Sequence, residues 1–385
     1  MSRRQKNFMA KKAIIVLFAA PFLLWGLKAA SPYILSLAAK AAMVSACFNM
    51  PEGSLAVLEE RFNSELFGNS EKISPTVPIK PHAATTPQAK PSSEAEEENS
   101  VEGEDEPEAE ESPPKRDIPE EYRGTIKEVQ YAADSSLPYI KLADGYIKNT
   151  TKLSADKIYK ELEKPLELDL THIDEPQVLI VHTHATEAYE PLASDIFDTR
   201  YTWRNIDNEQ NMVAVGRVIA DELKAAGIGV IHDGTQHDYP TYNGAYGRSA
   251  KTVLGWLAKY PTIKVVLDIH RDAIQPADDI IVKAVAEIDG KKAAQVMIIT
   301  GCDDGTMNVP DWAYNLRFAA ALQSSAEGSY NGLMRPVLFC YRKYNMDLTR
   351  GSVLLEIGGH GNTLDEAKYS AELIGKALAS LLEKQ

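Results

Sequence analysis

From residue 176 onward the apolar positions alternate between two rhythms. Short unbroken runs of aliphatic and β-branched residues mark strands over 177–184, 228–233, 264–270, 336–341 and 352–357. Between them lie stretches with helical spacing. In 209–227, Met212, Val215, Ile219 and Leu223 form one stripe, and Gly227 ends it. Helices follow over 244–260, stopped by Pro261, then over 310–325 and 363–383. The last opens with Thr363 as cap and Glu366 three residues on, the capping-box pattern. Residues 284–301 read as a hairpin turning at Asp289-Gly290. Strands alternating with helices predict an α/β fold: a mainly parallel central sheet flanked by helices on both faces. In such sheets function gathers at the carboxyl ends of the strands.

Upstream the pattern changes twice. Residues 117–173 read as a small accessory module, with strand-like runs at Tyr139–Leu142 and Gly145–Lys148 and a helix opened by Ser154. Ser154-Ala155-Asp156-Lys157 matches Ser-x-x-Lys, but its companion motifs are absent, so Ser154 is read as a cap. Residues 49–116 read as an extracytoplasmic segment and linker. From 71 to 116 there are eight prolines, no Phe, Trp or Tyr, and twelve acidic against five basic side chains. Such a stretch cannot bury enough apolar area to offset its ordering entropy, which predicts a disordered acidic spacer. Residues 1–48 read as a basic cytoplasmic stub and a transmembrane helix. Arg3, Arg4, Lys6, Lys11 and Lys12 precede an apolar run from Ala13, and Lys28 can snorkel to the interface. The basic flank predicts a single-pass cell-membrane protein with its N-terminus cytoplasmic and the rest outside. A cleaved signal peptide is the alternative.

The 385 residues carry a net charge of −14, which argues against nucleic acid as the main partner. Cys47, Cys302 and Cys340 are too few for a disulfide scaffold or an all-thiolate zinc site, although a Cys302–Cys340 pair is arithmetically open. Cys340 sits in an apolar strand and reads as core.

The strand ends carry the chemistry. The first feeds His182-Thr183-His184, with both imidazoles on one side if the chain stays extended. The second brings Asp268 and His270 to one face, then Arg271. The last delivers Glu356, costly to bury as an unpaired anion. Imidazoles plus a carboxylate are the donor set of a zinc site with one position open. No His-Glu-x-x-His, Gly-x-Ser-x-Gly, Walker loop or Cys-x-x-Cys is present.

Four blocks then resemble one family. They are Val178-Leu-Ile-Val-His-Thr-His-Ala-Thr-Glu-Ala-Tyr189, His232-Asp-Gly-Thr-Gln-His-Asp-Tyr-Pro-Thr-Tyr-Asn243, Val266-Leu-Asp-Ile-His-Arg-Asp272 and Leu354-Leu-Glu-Ile-Gly-Gly-His-Gly-Asn362. Over about 174–385 the chain resembles the stage II sporulation protein P family, which is similar to the zinc-dependent N-acetylmuramoyl-L-alanine amidases. The resemblance implies an amidase-like catalytic domain over 174–385 and hydrolysis of peptidoglycan during sporulation engulfment, with amidase and endopeptidase activity. It also implies partnership with sporulation proteins D and M. Carried over, it implies a Zn2+ ion held by His184 (or His182), Glu209 (or Glu187) and His270, with Glu356 as the catalytic acid–base. On general chemistry, Arg271 or Arg248 would hold substrate carboxylates or make a structural salt bridge, Asp268 would orient a ligand imidazole or make a core hydrogen bond, and His360 would stabilise an oxyanion or cap its turn. The alternatives are a zinc endopeptidase acting on cross-link peptides and a non-catalytic wall-binding scaffold.

Overall fold

A computed structural model describes residues 117–132, 138–168, 170 and 175–384. The membrane helix and acidic linker expected over 1–116 lie outside the described residues. Among the described residues no helix is long and apolar enough to cross a membrane.

The centre is an eight-stranded sheet. Its strands are β2 (Tyr139–Lys141), β3 (Tyr146–Asn149), β4 (Val178–Val181), β6 (Val230–His232), β7 (Val265–Asp272), β10 (Val296–Gly301), β11 (Val337–Cys340) and β12 (Gly351–Gly359). They lie in the order β2-β3-β11-β10-β12-β7-β4-β6. Only β2/β3 and β10/β12 pair antiparallel, so the sheet is mixed but mostly parallel. β12, β7 and β4 are neighbours running the same way, which brings three carboxyl ends together.

Each strand of this trio is apolar on both faces, as a covered parallel strand must be. One face (Ile180, Leu267, Ile269, Leu355) packs in the main core against α2 (Met212–Ala225), α4 (Trp312–Ser329) and α5 (Leu364–Leu382). The other (Leu179, Val181, Val266) packs against Val253 of α3 (Ala245–Lys259). The Thr363/Glu366 capping box opens α5 as predicted. α2 starts later than its sequence suggests, at Met212, because the Asn211 side chain accepts the Val213 N–H and caps it.

The 117–173 stretch is not a separate module. Its first strand, β1 (Arg123–Val129), joins a second, four-stranded sheet with β5 (Ile196–Asp198), β8 (Ile280–Ile288) and β9 (Lys291–Ala294). β3 extends the central sheet by pairing with β11. Helix α1 (Ala155–Leu162), capped by Ser154 as expected, buries Ile158 in the main core. The predicted 284–301 hairpin divides: β8 and β9 turn at Asp289-Gly290, both at positive φ, while β10 leaves for the central sheet.

Register also separates the two described cysteines. Gly301 pairs with Cys340, so Cys302 faces the opposite side. Cys302 lies in the main core and Cys340 packs with Met346 and Leu354 on the other face. Burial pushes their thiols up, to about 12 and about 11.

Candidate metal centre

The site is assembled where β4, β7 and β12 end. After β4 the chain makes a tight turn in which the Glu187 N–H donates to the His184 carbonyl. That turn puts the two side chains three residues apart on one side. Thr183 anchors it: its N–H and hydroxyl both donate to the Asp268 carboxylate, at 2.8 and 2.6 Å. β7 presents Asp268 and His270 on the same face, one period apart. Glu356 stands opposite His270 in register on β12. Between Glu356 and Gly359 the ladder shifts, with three steps on β12 against two on β7, and Gly358 takes φ +65°. This is a bulge directly beyond the carboxylate, a device that re-aims a side chain at a strand end.

His184, Glu187 and His270 converge, with donor atoms all within 4.8 Å of one another. The Nδ1 atoms of His184 and His270 each lie 3.5 Å from a Glu187 oxygen, Oε1 and Oε2 respectively. Donors at about 2.0–2.1 Å from a tetrahedral ion are about 3.3 Å apart, so the spacing fits zinc. A further sign is that Glu187 Oε1 is buried and accepts no hydrogen bond. Aromatic rings wall the site. Tyr242 stacks on His184 with centroids 4.6 Å apart, and Tyr246 lies edge-on to His184 and parallel to His270.

The electrostatics favour a cation. Burial by itself would raise the Glu187 pKa, but the Arg271 charge and the two imidazoles hold it well below the ordinary range. Burial would lower His270, but Asp268, with Nε2 3.0 Å from Oδ1, and Glu187 hold it well above 6.5. The field that draws a proton to His270 also draws a metal ion. Asp268 makes its ion-pair contact with the nitrogen facing away from Glu187, and leaves the nitrogen nearer Glu187 on the side of the cluster.

Not every residue singled out in the sequence joins this group. Glu209 does not: it is exposed, precedes α2 and pairs with Arg217 at 2.7 Å, and Glu187 stands in the cluster instead. His182 points to the other face. Its Nδ1 donates to the Ile269 carbonyl and its Nε2 meets His232 Nε2 at 2.9 Å. Arg271 is buried rather than presented to substrate. Nε and Nη2 donate to the Ala188 and Trp203 carbonyls, and its charge backs Glu187. Arg248 is likewise occupied, donating to the carbonyls of His237, Thr241 and Asn243, so it clamps that loop. His360 is buried edge-on against Trp203, with centroids 4.7 Å apart. The rim holds a residue the sequence reading passed over. Arg204 is paired with Asp238 at 2.9 Å and lies 3.7 Å from Glu187, over the Tyr242 ring. Its signal is the bridge Glu187↔Arg204, which depends on tertiary structure.

These features define an α/β protein with a mixed, mostly parallel sheet, flanking helices and a buried His–Glu–His group suited to a metal. Residues 58–379 match the model of stage II sporulation protein P (SpoIIP), and the chain belongs to that family. Stage II sporulation protein P of Bacillus subtilis (strain 168) is 29% identical over 209 residues, 51% of this chain and 49% of that protein. The chain therefore spans about half the length of that curated relative. Among solved structures, the N-acetylmuramoyl-L-alanine amidase AmiC2 of Nostoc punctiforme matches 54% of this chain and 96% of its own, with 10% identity and a TM-score of 0.31. The CwlD amidase from Clostridioides difficile, solved with the GerS lipoprotein, matches 54% and 100%, with 11% identity and a TM-score of 0.33.

Proposed function

We propose that this chain is a metal-dependent hydrolase of peptidoglycan that cleaves the amide between N-acetylmuramic acid and L-alanine. The observation that carries the reading is the convergence of His184, Glu187 and His270 beside Glu356, in a chain of the sporulation protein P family. Zn2+ is the cofactor this donor set suits. When bound, the ion supplies Lewis acidity toward the amide carbonyl and toward water. Glu356 takes a proton from the attacking water and returns it to the leaving nitrogen. The water oxygen ends on the lactyl carbonyl carbon, the C–N bond breaks, and L-alanine leaves as a free amine. Asp268 keeps the His270 ring oriented, and Arg271 keeps Glu187 ionised. Tyr242 and Tyr246 exclude solvent on one side.

The decisive experiment incubates the full chain with defined muropeptides, with and without chelator. Free stem peptide that disappears on chelation supports the amidase. Split cross-bridges instead would make the protein an endopeptidase. Undiminished activity after metal removal would overturn the metal reading. In the same proposal the chain is held at the cell membrane by residues 1–48, with its catalytic part extracytoplasmic, and acts beside sporulation proteins D and M. A C-terminal reporter fusion that is active only in the cytoplasm would refute that placement.

A further inference from the structure

The sheet face that carries His270 and Glu356 continues beyond the metal centre. Asp268 lies opposite Leu354, Leu354 opposite Ile299, Ile299 opposite Leu338, Leu338 opposite Lys148 and Lys148 opposite Tyr139. Residues directly opposite on adjacent strands share a face. This row therefore crosses from β7 to β2 on the Glu356 side. A parallel row runs from His270 through Glu356 to Met297, and Tyr146 and Lys141, two residues along from Lys148 and Tyr139, lie on the same face.

Cover on this face is uneven. α3 packs over Leu179, Val181 and Val266, and Met346 from the 341–349 loop packs over Leu354 and Ile299. Farther out, Met297, Leu338, Tyr139 and Tyr146 are only half-buried, and Lys141 and Lys148 are exposed. The alternate residues of the same strands, Ile140, Ile147, Val337 and Phe339, are fully buried on the helix-covered side.

We propose that this open half-face is a docking platform for further units of the wall polymer, sugars bearing anionic peptide stems, and leads the scissile amide to Glu356. The inference rests on the reading above that peptidoglycan is the substrate. Continuity supports it, because the platform shares its rows with Glu356 and extends about 19 Å over four interstrand spacings. That length suits a polymer better than a single small molecule. Charge supports it too. In a chain of net charge −14, the two rows outward of Glu356 carry no acid and two exposed lysines with no ion-pair partner among the described residues. Tyr139 and Tyr146 add amphipathic ring surface of the kind that packs against sugar while keeping a polar tip wet.

The test is co-sedimentation of the full chain with purified sacculi, in a Glu356→Gln background so that the wall is not digested. Lys141→Glu with Lys148→Glu should weaken binding on the order of tenfold at low salt, and less at high salt, because exposed charges are screened. Lys160→Glu with Lys251→Glu, the same charge change placed on α1 and α3, should bind as the parent does. An unchanged affinity in the Lys141/Lys148 variant, an equal loss in the control, or a parent that does not sediment overturns the platform. A failure of the amidase reading would appear separately, as uncut small muropeptides with the unsubstituted chain.

Discussion

Glu356 faces His270 across two adjacent parallel strands, and the ladder slips by one residue immediately beyond the pair. Strand pairing thus fixes a carboxylate beside an imidazole of the candidate metal group without making it part of the His184–Glu187–His270 cluster. A general acid–base held this way contributes about 10²–10⁴-fold to rate. Glu356→Gln is expected to lower amide cleavage by that factor while bound metal, counted by mass spectrometry, stays the same. A variant that keeps both its metal and its full rate would remove Glu356 from the chemistry.

Glu187 and Glu209 make opposite predictions. Glu187→Gln takes the carboxylate out of the buried group and leaves Arg271 without the anion it backs. It should lose metal and activity together. It should also destabilise the protein, by about 3–5 kcal/mol as for a broken buried charge pair. Glu209→Gln breaks only an exposed pair with Arg217, worth about 0–1 kcal/mol, and should keep its metal. Metal content measured on both purified variants separates them. Loss of metal from the Glu209 variant alone would restore Glu209 as the ligand.

How much of this was legible in the sequence depends on whether a residue's role is local. The runs 178–181 and 265–269 mark strands wherever they occur, so His184, His270 and Glu356 could be placed at strand ends from pattern alone. Thr363 and Glu366 carry their own capping geometry. Glu187 lies in irregular chain, and its position follows from a turn anchored by Asp268, 85 residues from Thr183. Glu209 has the look of a helix-opening acid, but Asn211 captures the cap and leaves Glu209 outside. Arg271 and Arg248 offer the right charge for substrate, and only the tertiary structure shows their donors engaged with backbone carbonyls. The pairing of β1 with β8 joins residues 125 and 280, beyond the reach of local periodicity.

Gly216 is the position where a helix should resist its best helix former. A methyl group there would meet His182 Cε1 at 2.5 Å and Nε2 at 2.6 Å, with His232 Nε2 at 3.1 Å. Alanine gains about 1 kcal/mol in helix propensity over glycine. Overpacking against a buried, hydrogen-bonded ring costs about 1–3 kcal/mol or more. With the added carbon within 2.6 Å of a buried ring the cost lies at the upper end, so Gly216→Ala should lower stability by up to about 2 kcal/mol in denaturant unfolding. Gly247→Ala on α3, where a Cβ meets nothing within 4 Å, should be neutral or stabilising. A stabilised Gly216→Ala would mean that the His182–His232 pair yields easily.

The His182–His232 contact also predicts an acid limit. A carbonyl only accepts, so His182 Nδ1 carries the proton given to Ile269, and its bare Nε2 accepts from His232 Nε2–H. Burial lowers His182 to about 3 and His232 to about 4, so both rings are neutral near pH 7. At His232, Arg217 and Lys224 add to burial, while Asp233 and Asp221 oppose the shift. Above pH 6.5 the group is neutral in folded and unfolded chains and has no effect on stability. Between 6.5 and about 4 only the unfolded chain takes the proton, so stability falls with falling pH by up to about 1.4 kcal/mol per unit. His232→Gln places an N–H donor near the same nitrogen but cannot titrate. Urea unfolding from pH 7.5 to 4.5 should show a shallower acid slope in this variant than in the parent, with the two curves diverging only below 6.5. Parallel curves across the whole range would show that His232 takes up its proton equally in the folded and unfolded chains, as a freely solvated ring does, and would remove the acid limit.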